Sequence, residues 1–199
     1  MGFKTIFRRI SLAFAAIGIC WALFSAFVPK EEEKDRMLYI VRHAKSDKSN
    51  ASLKDIDRPL NSRGYMDAPL MGAVLKAKGV KVDLIISSPS RRTRETIIPI
   101  ALAIGYDTTK IRWNKRIYRC SHSGYLEQVE KIGDQYQRVM IVGHNGASTS
   151  VANVLQKDSV ISNVPTTGVV AINFGEKSWK NVKAKKGKLI FFDVPKNHK

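Results

Sequence analysis

The chain has 199 residues, room for one domain of ordinary size and hardly for two. Its 44% apolar and 26% charged residues, with 13 Gly and 7 Pro, exclude a disordered tail protein, a collagen-like fibre and a many-span membrane protein. Thirty-four Lys and Arg against 17 Asp and Glu give +17, which points to anionic partners: phosphate esters, phospholipids or nucleic acid.

Residues 10–28, ISLAFAAIGICWALFSAFV, carry no charge. As a helix they would extend about 28 Å, close to the thickness of a bilayer core. The run exceeds the ~7–15 residue core of a signal peptide, and Phe24 and Phe27 crowd the place where small residues would mark cleavage. A retained single-pass anchor is therefore expected, with a cleaved signal as the alternative. Lys4, Arg8 and Arg9 favour the amino end inside, which puts the rest on the non-cytoplasmic side. Lys30, Lys34 and Arg36 on the other flank oppose this and leave a cytoplasm-facing domain as one alternative; after cleavage the domain would be secreted or periplasmic. The organisation reads as anchor or signal 1–29, charged linker 30–36, domain 37–196 and tail 197–199. Six basic and four acidic side chains fall within 1–36, so residues 37–199 carry +15.

From Met37 strands alternate with helices. MLYIV (37–41) is a nearly all-apolar strand, and the polar stretch 45–61, with Asp55, Asp57 and Pro59, is a long loop placed to border a site. Residues 62–78 have helical periodicity and stop at Gly79; VDLIIS (82–87) is the next buried strand. Pro89 suits the first turn of a helix that runs toward Ile104. An extended segment near 111–117 leads to a helix over 124–134. RVMIV (138–142) is the third buried strand, before a helix over 147–155. Segments 168–174, 179–182 and 188–193 read as strands, antiparallel at one side of the sheet. The pattern implies an α/β fold, a mostly parallel central sheet with helices on both faces, preceded by one apolar amino-terminal helix.

Cys20 and Cys120 offer neither a disulfide framework nor a thiolate zinc site. Lysines 177, 180, 183, 185, 186 and 188 form a basic turn and strand face. A solvated, pairing-resistant edge explains them, and contact with an anionic membrane surface is the alternative. With few arginines or interleaved aromatics there, nucleic acid is a poor fit.

Ligands of open parallel sheets bind beyond the carboxyl ends of the strands. Three such ends carry Arg42-His43, the cluster Arg91-Arg92-Thr93-Arg94, and His144. Abundant guanidinium groups oppose a metal cation, whereas a phosphate dianion suits their forks. An unprotonated imidazole can attack phosphorus while the cations neutralise charge on the equatorial oxygens. Phosphoryl transfer through histidine follows, although spacing alone leaves open which histidine attacks.

These segments also resemble a known family. Leu38 through Ser46 (LYIVRHAKS) is similar to the first motif of the histidine phosphatase, or phosphoglycerate-mutase-like, superfamily, in the form typical of its small branch of bacterial phosphohistidine phosphatases. Asp57-Arg58-Pro59-Leu60 with Arg63-Gly64 resembles the DRPL…RG segment. Ser87 through Thr96 resembles SSP…RAxQT, with the family arginine at Arg92, and Val142-Gly143-His144-Asn145 resembles the second-histidine motif. The likeness extends over residues 37–196 and implies the family's fold.

It also implies roles. His43 corresponds to the phosphorylated nucleophile, Arg42, Arg92 and His144 complete the phosphate pocket, and Arg58 adds a contact from the loop. Arg91 and Arg94 fall outside the pattern as rim charges. Ala44, Thr93 and Glu95 depart from it without removing the chemistry. No clear motif supplies the acid that protonates the leaving oxygen in larger members; Glu127 and Glu130 lie in the right stretch but read as helix surface. An alkoxide needs that proton more than a phosphoramidate does. The expected activity is thus a metal-independent, cofactor-free phosphatase acting through a phosphohistidine on phosphohistidine or another reactive phosphate. Its partner is then a phosphorylated protein or a small phosphate ester. A small-molecule monoesterase and a non-catalytic, membrane-tethered phosphate-binding protein are the alternatives.

Overall fold

The apolar runs after residue 36 are long enough for one strand each and apolar on both faces, so they pair into a sheet that needs cover on both sides. The computed structural model describes residues 35–158 and 160–199. Its strands are β1 (Met37–Arg42), β2 (Leu84–Ser87), β3 (Arg112–Trp113), β4 (Arg138–Gly143), β5 (Val169–Asn173) and β6 (Lys188–Asp193), in the spatial order β3-β2-β4-β1-β5-β6. The helices are α1 (Ser62–Ala77), α2 (Arg91–Ala103), α3 (His122–Glu130) and α4 (Ala147–Leu155).

Alternation along β1 and β4 divides the core into two layers. Leu38, Ile40, Val139 and Ile141 join Tyr125 and Val129 of α3 and Val151 and Leu155 of α4. Tyr39, Val41, Met140 and Val142 face the other way, onto Met71 and Leu75 of α1 and Ile97 and Ile100 of α2. The fold is therefore α/β, a central sheet with helices on both faces.

The sheet is mixed, which corrects the expectation of a mostly parallel one. β1–β4, β4–β2 and β2–β3 run parallel, but β5 is antiparallel both to β1 and to β6. After α4 the chain climbs back without a helix to the carboxyl end of β1, and β5 starts there, with Val169 opposite Val41. A strand entered at that end must descend. Two other expectations shift for local reasons. Segment 179–182 is a turn anchored by Trp179, whose indole donates to the Tyr136 carbonyl at 2.6 Å and whose backbone N–H donates to Asp134 at 2.9 Å. The segment near 111–117 keeps only two strand residues before Asn114 caps a tight turn by accepting from Arg116 N–H.

The membrane-anchor expectation is also corrected: among the described residues no helix is long and apolar enough to cross a membrane. The longest, α1, has 16 residues and exposes Arg63, Tyr65 and Met66, so it covers one face of the sheet and turns the other to water. Residues 10–28, on which that reading and the side of the membrane depended, lie outside the described residues.

The loop after β1 is held tightly against α1. Asn61 caps the helix by accepting from Gly64 N–H at 3.0 Å, while its own N–H donates to the Lys45 carbonyl at 2.9 Å. A Cβ at Gly64 would stand 2.3 Å from that same carbonyl oxygen. Glycine is the residue that lets the helix approach so closely.

Candidate active site

Parallel register brings the three strand ends level. Arg42 lies opposite Gly143, and Ser87 opposite Val142. The ladder continues one step further: His43 N–H donates to the Gly143 carbonyl at 3.0 Å and Ser88 N–H to the Val142 carbonyl at 3.1 Å. The first side chains beyond the sheet are thereby fixed by backbone pairing.

His43 is buried, and its Nδ1 lies 2.7 Å from the Ala44 carbonyl oxygen. A carbonyl can only accept, so Nδ1 carries the hydrogen and Nε2 keeps a free lone pair. Burial, against the opposing pull of that carbonyl, lowers its pKa to about 3, with His144, Arg92 and Arg42 pushing the same way as burial. The ring of His144 lies 5.1 Å from that of His43. Its Nδ1 takes a hydrogen bond from Arg92 at 3.3 Å, and its Nε2 meets the Ser88 hydroxyl at 2.9 Å. Burial and Arg92 lower the His144 pKa to about 4. Both imidazoles are neutral at physiological pH.

This has a consequence for stability. Each ring titrates near 6.5 when exposed, so below that pH the unfolded chain takes up protons that the folded one refuses until about 4 and about 3. Stability present above pH 6.5 is lost as the pH falls through that window. Melting temperatures at pH 7 and pH 4.5 should therefore differ less for His43→Gln than for the unaltered protein; an equal or larger difference would mean that His43 is not held neutral by the fold.

The arginines are fixed by different parts of the chain. Arg42 donates to the Val164 carbonyl at 2.8 Å, and its Nε is buried with no hydrogen-bond partner among the described residues. Thr167, with φ of 62°, returns its N–H to the Arg42 carbonyl at 3.0 Å. Arg92, on the first turn of α2, and Arg58, on the loop, share Asp55. Arg92 reaches Asp55 Oδ2 at 2.9 Å and also its backbone carbonyl; Arg58 reaches Oδ1 at 2.8 Å. Arg58 further donates to Ser46 Oγ at 2.8 Å and to the Asp47 carbonyl at 2.9 Å.

Sequence reasoning placed Asp55 in the loop beside the site but gave it no role, and it missed Tyr118. The Tyr118 hydroxyl donates to Asp55 Oδ2 at 2.7 Å, and its ring stands edge-on to His144 at 5.5 Å. The Tyr118 hydrogen bond and the two arginines hold the Asp55 carboxyl well below the usual carboxylate range, burial opposing them. The one cue in the sequence is local: Asp55 precedes Arg58 by three residues in a turn.

Arg42, His43, Arg58 and Arg92 share a cavity of about 240 Å³ whose wall adds Lys45 and Lys48 and contains no acid. His144 is not one of the wall residues but contacts two of them, Arg92 and the ring of His43. Arg91 and Arg94 lie outside: Arg91 pairs with Glu95 at 2.8 Å, and Arg94 stacks over Trp113 at 4.3 Å. Glu127 is taken up by Lys131 on the surface, and Glu130 is exposed. Among the described residues no cluster of His, Cys, Asp and Glu could hold a metal ion.

Residues 38–116 match the histidine phosphatase superfamily (branch 1), and the chain aligns over 80% of its length with the structure of SixA from Agrobacterium tumefaciens, at 25% identity, TM-score 0.68 and 98% coverage of that protein. Over that matched segment the chain is similar to the histidine phosphatase superfamily. The protein histidine phosphatase SixA complexed with tungstate shares the fold at TM-score 0.70 and 17% identity, over 82% of this chain and 99% of that one. An uncharacterized protein of Mycobacterium tuberculosis is 27% identical over 165 residues, 78% of this chain and the whole of the relative. A chloroplastic protein of Arabidopsis thaliana is 28% identical over 160 residues, 76% of this chain and 72% of its own length.

Proposed function

We propose that the protein is a metal-independent phosphatase that transfers a phosphoryl group to His43 Nε2 and then to water, with phosphohistidine or a similarly reactive phosphate as substrate. The observation that carries this reading is the fixed tautomer of His43: a neutral ring whose Nδ1–H is held by the Ala44 carbonyl, leaving Nε2 its lone pair, in a cavity lined by cations.

In the first step Nε2 attacks phosphorus in line, the bond to the leaving group breaks, and its electron pair departs with that group. Arg42, Arg58 and Arg92 neutralise charge spread over the equatorial oxygens. His144 holds Arg92 through its Nδ1 and brings its ring against that of His43. In the second step water attacks the phosphohistidine, releasing inorganic phosphate and restoring the neutral ring. The wall of guanidinium and ammonium groups repels a divalent cation and supplies the positive charge itself.

Leaving-group chemistry narrows the substrate. Asp55 is the carboxyl group nearest the arginines, and it stays ionised in their grip, so it cannot protonate an alkoxide. A phosphoramidate nitrogen takes its proton from water more readily. The partner is then a protein carrying phosphohistidine, and the basic rim suits an acidic surface around it. SixA with bound tungstate, a tetrahedral oxyanion like phosphate, is a parallel for the pocket.

The test is a brief exposure to radiolabelled phosphoramidate, quenched in base. Label that is stable to base and labile to acid is expected on His43, and turnover unaffected by a chelator. Label on His144 or Cys120, or activity lost with the chelator, would reject this mechanism.

A further inference from the structure

The two arginines that reach the phosphate cavity from different parts of the chain, Arg58 from the loop and Arg92 from α2, are tied to each other by one carboxylate that is not in the cavity wall. Asp55 accepts from Arg58 on Oδ1 at 2.8 Å and from Arg92 on Oδ2 at 2.9 Å. Tyr118 donates to Oδ2 as well, at 2.7 Å, and Arg92 also donates to the Asp55 backbone carbonyl. A lone carboxylate therefore fixes the rotation of both guanidinium planes and cancels one of the positive charges beside the cavity. The Arg92 side chain is 7% exposed and that of Asp55 37%, so the clamp joins a buried guanidinium to a half-exposed carboxylate.

We infer that Asp55 is a positioning residue for phosphoryl transfer: from outside the cavity it aligns Arg92 and Arg58 for the transition state and weakens their hold on ground-state phosphate.

Both halves follow from charge and geometry. A guanidinium with a free rotation can still attract a phosphate dianion, but it meets the flattened transition-state oxygens only when its plane is set. An anion a hydrogen bond away from both arginines lowers the positive potential that a bound phosphate feels. A residue that kept only the loop folded would act differently: its loss would loosen the pocket and weaken phosphate binding and rate together. In the proposed role the two effects separate.

The inference rests on the phosphatase reading, so its test includes a readout that does not need turnover. In Asp55→Asn the side chain keeps its shape and loses its charge. With phosphoramidate as substrate, kcat should fall on the order of 10- to 100-fold. Inorganic phosphate, titrated calorimetrically, should bind the variant as tightly as the unaltered protein or up to about tenfold more tightly. Tyr118→Phe removes one donor to Oδ2 without changing charge; kcat should drop by a smaller factor, with phosphate affinity unchanged. Weaker phosphate binding in Asp55→Asn, in proportion to the lost rate, or an unchanged kcat, would overturn the role of Asp55 and leave the phosphatase reading standing. Absence of phosphate binding to either protein, with no labelling of His43, would overturn both.

Discussion

Replacing His43 with alanine or glutamine is expected to remove the acid-labile phosphoenzyme and to cut turnover by about 10⁴-fold or more. Nε2 of His43, a residue that lines the cavity, has a free lone pair, since the other ring nitrogen is held by Ala44 and both nitrogens of His144 have protein partners. Glutamine is the more informative replacement because it keeps a neutral, polar side chain of similar length in the buried position while lacking a nucleophilic ring nitrogen. Its far-ultraviolet circular dichroism should match the unaltered protein. His144→Ala should slow the reaction strongly but leave a trapped phosphoenzyme detectable, because the attacking nitrogen survives. The measurement is base-quenched labelling alongside steady-state rates; appreciable turnover by His43→Gln would reassign the nucleophile.

The second large effect is expected at Arg92, and its neighbour supplies the control. Arg92→Ala removes the guanidinium that joins the cavity, Asp55 and His144, and should lower kcat/KM by on the order of 100- to 1,000-fold, about 3–4 kcal/mol of transition-state stabilisation. Asp55 would retain Arg58 and Tyr118 and is open enough to be hydrated, so collapse of the site is not the expected cause. Arg91→Ala removes an exposed ion pair with Glu95 and should change the rate less than twofold. Similar losses in the two variants would mean that the phosphate-binding register on α2 is off by one residue.

Both residues are legible in the sequence because each follows the end of a run that can only be a buried strand. Strands 37–41, 82–87 and 138–142 are short, nearly all apolar and bounded by turn residues, and the parallel pairing they imply sets their first polar neighbours side by side. Asp55 is not legible. A single acid in a polar loop has no periodicity, and its partners Arg92 and Tyr118 are distant in sequence, brought in by α2 and by the turn before α3. The polarity of the loop places it beside the site but does not single out the ion that organises it. The direction of β5 is hidden for another reason: the stretch between α4 and β5 forms no helix, so alternation gives no warning that the chain has climbed back before entering the sheet. Trp179 shows the limit of reading apolar runs near the tail, since one large side chain buried at a turn resembles a strand residue.

The returning stretch before β5 has a consequence for a chain that is made from one end. Arg42 is among the first described residues to leave the ribosome, yet the carbonyl that holds its guanidinium belongs to Val164, and the amide that closes over Arg42 and His43 belongs to Thr167. A nascent chain can pair β1 with β4 and seat both histidines while this stretch is still inside the exit tunnel. It cannot fix Arg42. The surroundings of Arg42 are therefore completed only by the stretch that leads into β5, after β1 to β4 and α1 to α4 have been made.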